Sequence, residues 1–184
     1  LPANEEEAVI NNEIKIILII LYINVFFIVS VAKVNLYFIF LMFTMPIKTL
    51  INYSPNFSTY KRNIKSLKYL IYHYTGMKSE SKAISRLTDD KSKVSCHYFI
   101  KRNGSIILMV PDLYEAWHAG KSNWKKDKSL NKKSIGVEIS NKGHQFGYKN
   151  YSKKQIKSLI KLSTYLIKKY RIKKSNILGH SDIA

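Results

Sequence analysis

The chain has 184 residues, with 31 Lys and Arg against 12 Asp and Glu, a formal net charge of +19 and one cysteine. That length carries one domain whose core is stable without cross-links, and Cys96 standing alone excludes an internal disulfide and a cysteine-rich zinc module. Four Glu and two Lys leave Leu1 to Met45 at −2, so Pro46 to Ala184 carries +21, a charge that attracts nucleic acid, anionic lipid or an acidic wall polymer without choosing among them. Lys, Asn, Ile and Tyr are abundant everywhere, and compositional bias accounts for part of that charge equally well.

Residues Ile16 to Ala32 carry no charge, and after Lys33 the apolar run resumes as far as Phe43. One membrane span of about 20 residues fits there and two do not. The segment reads as a span or an uncleaved signal anchor, a cleaved signal peptide fitting worse because the preceding residues are acidic. Glu5, Glu6, Glu7 and Glu13 precede it while Lys48, Lys61, Arg62, Lys65 and Lys68 follow, so the positive-inside bias would leave the basic part in the cytoplasm. The first methionines are Met42 and Met45, and a start at Met45 would give the basic domain alone.

Asn52 to Lys68 reads as a polar, turn-rich lead-in centred on Ser54-Pro55-Asn56. In the stretch Leu67 to Gly76, LKYLIYHYTG, residues Leu67 to Tyr74 read as a buried strand whose end carries His73 and is followed by a turn. A short helix follows over Ser79 to Leu87, with Ala83, Ile84 and Leu87 on its apolar side. A hairpin joins His97–Lys101 to Ser105–Val110 through Arg102-Asn103-Gly104, where Asn-Gly supplies positive φ angles. Pro111 to Lys133 has no periodicity and reads as a long loop dense in Trp117, His118, Gly120, Asn123 and Trp124. Ser134 to Ser140 is a strand bearing Glu138, and Asn141 to Asn150 is a second loop. Ser152 and Gln155 form a capping box for the helix Lys153 to Tyr170, whose apolar face is Ile156, Leu159, Ile160, Ser163, Leu166, Ile167 and Tyr170. The chain closes with the strand leading to His180.

His73 and His180 each end an apolar strand, and each alone is explained by a bond to a backbone carbonyl. Delivered together to one edge of a sheet they could bind one divalent metal, although three protein ligands are usual for catalysis. Glu138 within VEI pays a desolvation cost if it points inward, which raises its proton affinity and suits a general base; on an edge strand it would instead face water. Trp117, His118 and Trp124 could stack on sugar or peptide, or plug the side of a core. Alternation places Cys96 and His97 on opposite faces, and Cys96 reads as a small buried apolar residue.

Together these pieces resemble the zinc-dependent N-acetylmuramoyl-L-alanine amidases, the group that includes phage-lysozyme amidases and peptidoglycan recognition proteins. The matching stretches are Ser54-Pro55-Asn56, YLIYHYTGM from Tyr69, SCHYFIKRNGSI from Ser95, AWHAGKSNW from Ala116, LNKKSIGVEISNKG from Leu130 and LGHSDIA from Leu178. The resemblance implies an α/β fold with a central mixed sheet flanked by helices and a zinc site at one sheet edge, preceded here by the hydrophobic segment. It divides the chain into that segment at 1–45, a lead-in at 46–66 and an amidase domain at 67–184. It implies Zn2+ held by His73 and His180, Glu138 as the base, and Trp117, His118, Ala119 and His97 on the substrate side. The implied reaction is hydrolysis of the amide between N-acetylmuramic acid and L-alanine in peptidoglycan or muropeptides, at the cell envelope, or in the cytoplasm if synthesis begins near Met45. Membrane association follows from the apolar run, and no nucleic-acid partner is implied. In the family a P-x-R-K-x-D-P-G loop after this last strand supplies a third zinc ligand and a Lys. The sequence reaches Ala184 before that loop, so the domain reads as incomplete at its C-terminus, and the alternative is a binding module that grips muramyl peptide without cutting it.

Overall fold

Alternation sets the sheet. In β3 (Tyr69–Tyr74) every residue but the last is buried, and Leu70 and Tyr72 face one side while Tyr69 and Ile71 face the other. A strand apolar on both faces belongs in the middle of a covered sheet, and β3 lies there. The computed structural model describes residues 47–184, so the apolar run from Ile16 to Phe43, and the span, anchor and start-site readings of it, lie outside the described residues.

The six-stranded sheet has the order β1-β5-β4-β9-β3-β10, formed by β1 (Leu50–Ile51), β4 (Tyr98–Ile100), β5 (Ile106–Leu108), β9 (Ser134–Ile139) and β10 (Ile177–Gly179) with β3. Strands β4, β9, β3 and β10 run parallel, and β5 is antiparallel to β4. Helix α1 (Glu80–Thr88) is capped by Ser79, and α2 (Lys153–Tyr170) opens with the expected Ser152–Gln155 capping box. The two helices cover opposite faces: α2 packs Leu159, Leu162 and Leu166 on Leu70, Tyr72, Ile135, Val137 and Ile139, whereas Ala83 and Leu87 of α1 meet Phe99, Ile107 and Met109. This is the mixed sheet flanked by helices that the sequence implies.

Several local readings change. The lead-in is not only turns: it holds β1 and β2 (Phe57–Lys61), and β2 pairs antiparallel with β6 (Tyr114–Ala116). Loop 111–133 likewise contains β6, a small β7/β8 ribbon (Asn123–Trp124, Asp127–Lys128) and a 3-10 turn at Leu130–Lys133. These strands are short and half exposed, so they lack the apolar alternation that reveals a strand. In the hairpin only Gly104 has positive φ, +86°; Asn103 instead accepts from the Ser105 amide at 2.9 Å, an Asx turn rather than a two-residue turn. On α2 the buried face is rotated, with Gln155 and Leu162 inside and Ile156 and Ile160 only partly covered. Gln155 is accommodated there because its amide donates to the Ser140 carbonyl at 2.7 Å.

Candidate functional site

Parallel strands bring their carboxyl ends to one rim, and side chains placed there converge. In β9, β3 and β10 those ends carry Glu138, His73 and His180. Glu138 lies directly opposite His73 in register, and Gly179 is level with Tyr72, so His180 emerges beside His73. The two imidazole rings are 4.9 Å apart between centroids. Strand β9 sits between β4 and β3, which disposes of the edge-strand reading of Glu138. Burial, and after it the neighbouring His118 and His180, push the His73 pKa well below the ordinary histidine value, so its ring is neutral. His180 has a buried Nδ1 with no hydrogen-bond partner, a lone pair or proton facing the rim with nothing to receive it.

His118 joins this group and fixes its tautomers. Ser134 Oγ donates its only proton to the Leu130 carbonyl at 2.7 Å, so toward His118 Nε2, 3.1 Å away, it can only accept. His118 therefore carries its proton on Nε2 and presents a bare Nδ1. That nitrogen lies 3.0 Å from His73 Nε2, which must then be the protonated one, and His73 Nδ1 is left with a lone pair. Gly136 makes the arrangement possible. A Cβ at this position would come within 2.3 Å of the His118 ring, so only glycine allows the imidazole to lie against β9.

Trp117 and His118 line a cavity of about 310 Å³ together with Glu138, Thr75, Met77 and Arg86. His97 and Ala119, expected on the substrate side, are placed behind this wall. His97 is fully buried; its Nδ1 accepts from the Gly136 amide at 3.0 Å and its Nε2 faces the Tyr114 carbonyl at 3.0 Å. Ala119 is 1% exposed and packs with Ile71, Leu130 and Leu178. Cys96 is buried, and burial raises its thiol pKa well above normal with the Glu138 charge adding to the effect, so it stays protonated.

Two residues that sequence reasoning passed over hold the wall. Arg62, from the lead-in, is 5% exposed and donates to the carbonyls of Asn131, Ser134 and Asp112 at 2.7, 2.7 and 2.5 Å. Burial lowers its pKa to about 10, with Glu115 and Asp112 opposing, so it remains charged. Asn131 accepts at Oδ1 from the amides of His118 and Ala119 at 3.1 and 2.7 Å, and so orients the segment that carries His118. As metal donors the rim offers the imidazoles of His73 and His180; among the described residues no set of three His, Cys, Asp or Glu side chains is arranged to hold an ion.

Residues 63–184 match the family profile described as N-acetylmuramoyl-L-alanine amidase. The chain belongs to this family. It is 37% identical over 130 residues to N-acetylmuramoyl-L-alanine amidase AmiD of Escherichia coli K12, a match covering 64% of this chain and 46% of the relative. It is also 37% identical over 93 residues, 50% of this chain and 48% of the relative, to 1,6-anhydro-N-acetylmuramyl-L-alanine amidase AmpD of Haemophilus influenzae. The solved structure of E. coli AmiD in complex with the substrate anhydro-N-acetylmuramic acid-L-Ala-D-γ-Glu-L-Lys superposes with a TM-score of 0.58 at 33% identity, over 68% of this chain and 52% of that one. The chain spans about half the length of the curated relatives it matches.

Proposed function

We propose that this chain hydrolyses the amide between N-acetylmuramic acid and L-alanine in muramyl peptides, with zinc held by His73 and His180. The observation that carries this reading is the convergence of His73, His180 and Glu138 on one rim, beside the cavity lined by Trp117, in a member of the amidase family. The donor set fits the metal in kind. His73 Nδ1 bears a lone pair by the hydrogen-bond chain through His118, and His180 Nδ1 is buried with no other partner. Zinc, when bound, would supply Lewis-acid polarisation of the lactyl carbonyl and a lowered pKa for water.

The remaining work falls to the chain's own groups. Glu138 takes the proton from a water at the rim and returns it to the departing L-alanine nitrogen, one carboxylate serving both halves of the reaction. Trp117 forms the cavity wall against which the muramyl peptide is held, its own indole fixed by donation to Ser58 Oγ at 3.2 Å.

A second reading, a module that binds muramyl peptide without cutting it, is favoured by one observation: among the described residues two imidazoles converge and no third ligand joins them. Turnover of anhydro-N-acetylmuramic acid-L-Ala-D-γ-Glu-L-Lys, measured beside zinc content in the wild type and in Glu138→Gln, separates the two. The amidase reading expects zinc to be retained in the variant and turnover to fall by about 10² to 10⁴. Loss of zinc with activity would make Glu138 a ligand, and absence of turnover in a zinc-loaded wild type would leave the binding module.

We assign the protein to the cell envelope, because the proposed substrate is wall material and the run from Ile16 is long enough to enter a bilayer. Fractionation that found only a soluble cytoplasmic form would overturn this and favour a role in muropeptide recycling.

A further inference from the structure

Helix α2 has 18 residues and so runs for about 27 Å, with its apolar side spent on the sheet. Its outer side is made of lysine. Lys153, Lys154, Lys157, Lys161 and Lys168 are all exposed, and at 3.6 residues per turn they fall within about 100° of the helix surface. No acidic residue stands between Glu138 and Asp182. Among the described residues none of the five enters an ion pair, whereas Lys169 beside them is taken by Asp112 at 2.9 Å. Compositional bias toward lysine does not account for the arrangement. Lys153 and Lys154 stand in the first turn, where the helix dipole favours anions, and Lys153, Lys157 and Lys161 repel one another at i,i+4 spacing. The fold carries these costs with no internal partner, and an anionic surface outside it would relieve them.

The chain enters the fold on the same side. Ile47 packs against the cluster beneath α2, and four residues, at most about 14 Å of extended chain, separate it from Phe43 at the end of the apolar run. Leu50, Ile51 and Tyr53 follow along the sheet edge, 54%, 65% and 54% exposed, and tyrosine is enriched where protein meets a bilayer interface. The site cavity, walled by Ala83 and Leu87 of α1, lies on the other face of the sheet. We propose that the lysine face of α2 rests on an anionic lipid bilayer, which holds the domain with its cavity turned away from the lipid and open to substrate. This rests on the envelope assignment above, through entry of the run from Ile16 into a bilayer, and is independent of the amide chemistry. The contact is electrostatic, because the apolar side of α2 is already buried. Each lysine near an anionic surface strengthens it about fivefold, and the apolar run supplies the second signal that makes surface attachment stable.

The test uses the full chain reconstituted into vesicles of phosphatidylcholine alone, or of phosphatidylcholine and phosphatidylglycerol in about equal parts. Lysines are labelled with a membrane-impermeant amine reagent and read by mass spectrometry. On the anionic vesicles Lys154 and Lys168 should label about tenfold more slowly than on the neutral ones, while exposed Lys82 on α1 keeps its rate. High salt should abolish the difference. The variant Lys153→Gln/Lys157→Gln/Lys161→Gln, which preserves helix propensity, should lose the protection of Lys154 and Lys168. Equal labelling on both vesicles, or a variant protected as well as the wild type, would overturn the lipid contact. Slowing by a DNA duplex but not by phosphatidylglycerol would overturn it in favour of nucleic acid. Turnover of anhydro-N-acetylmuramic acid-L-Ala-D-γ-Glu-L-Lys by the same vesicles, loaded with zinc, keeps the two readings apart. Protection without turnover would remove the amidase reading and leave the lipid face, and turnover without protection would do the reverse. A chain that stays with neither vesicle would remove the lipid face and the envelope assignment together.

Discussion

Ser134→Ala is the most informative single substitution, because one hydroxyl sets the proton positions of two histidines. Ser134 is fully buried, and its Oγ satisfies the Leu130 carbonyl and the His118 Nε2–H. Alanine leaves both without a partner. An unsatisfied buried group costs about 1–3 kcal/mol, and His118 is partly accessible, so the expected loss of stability is about 2–4 kcal/mol. The second effect is specific to the hydrogen-bond chain. Without an acceptor at Nε2, the His118 proton can move to Nδ1, where it confronts His73 Nε2–H across 3.0 Å. Relief comes if His73 shifts its proton to Nδ1, which occupies the lone pair assigned to the metal. Zinc affinity should then fall about 10- to 100-fold, the usual cost of losing a partner that orients a metal-bound histidine. Urea denaturation of metal-free protein reads the first effect, 15N NMR of the imidazoles reads the tautomers, and competition titration reads zinc. A wild-type His73 protonated on Nδ1, or a variant with unaltered tautomers and affinity, would refute the chain.

Gly136→Ala should force the His118 ring away from β9 and cost about 1–3 kcal/mol, the range for overpacking, with the His118 imidazole resonances shifted as the direct check. Asp112→Ala should cost about 3 kcal/mol in a denaturation titration, because buried Asp112 accepts from Tyr98 at 2.6 Å, from Lys169 at 2.9 Å and from Tyr170, and alanine strands these donors; a cost under 1 kcal/mol would show that water replaces it. Acid should destabilise the metal-free protein. His73 and His97 are buried with pKa values pushed well below normal, so below about pH 6.5 the unfolded chain binds protons that the folded one refuses, and stability falls by about 1.4 kcal/mol per pH unit for each. Above that pH both states are neutral and the dependence vanishes; a denaturation midpoint constant between pH 7.5 and 5.5 would contradict it.

The strands and helices that carry apolar periodicity were legible in the sequence: β3, β9, the β4–β5 hairpin, α1 and α2 all stand within a residue or two of their expected bounds. What was illegible is what depends on pairing between distant segments. FSTYK and YEA carry no alternation and become β2 and β6 only through each other, just as the buried face of α2 includes Gln155 only because the Ser140 carbonyl awaits it. Local pattern reports burial against a generic core, and these contacts are specific ones.

The same distinction runs through the site. His73, His180 and Glu138 stood out because polar groups at the ends or in the middle of apolar strands are costly unless they are used. His97, expected on the substrate side, is instead fully buried behind the wall. Its ring is consumed by the Gly136 amide on one side and by the Tyr114 carbonyl and the Arg62 guanidinium on the other, and nothing in SCHYF distinguishes a histidine that faces a groove from one that closes the wall behind it. Arg62 was hidden for the opposite reason: in a chain with 31 basic residues one more in a polar lead-in reads as surface, yet it is the cation that three backbone carbonyls of the wall converge upon. Gly136 could have been suspected, since a glycine inside an otherwise apolar β-strand gives up packing and backbone entropy unless something approaches closely. That something is His118, and through it the glycine governs where the His73 proton sits.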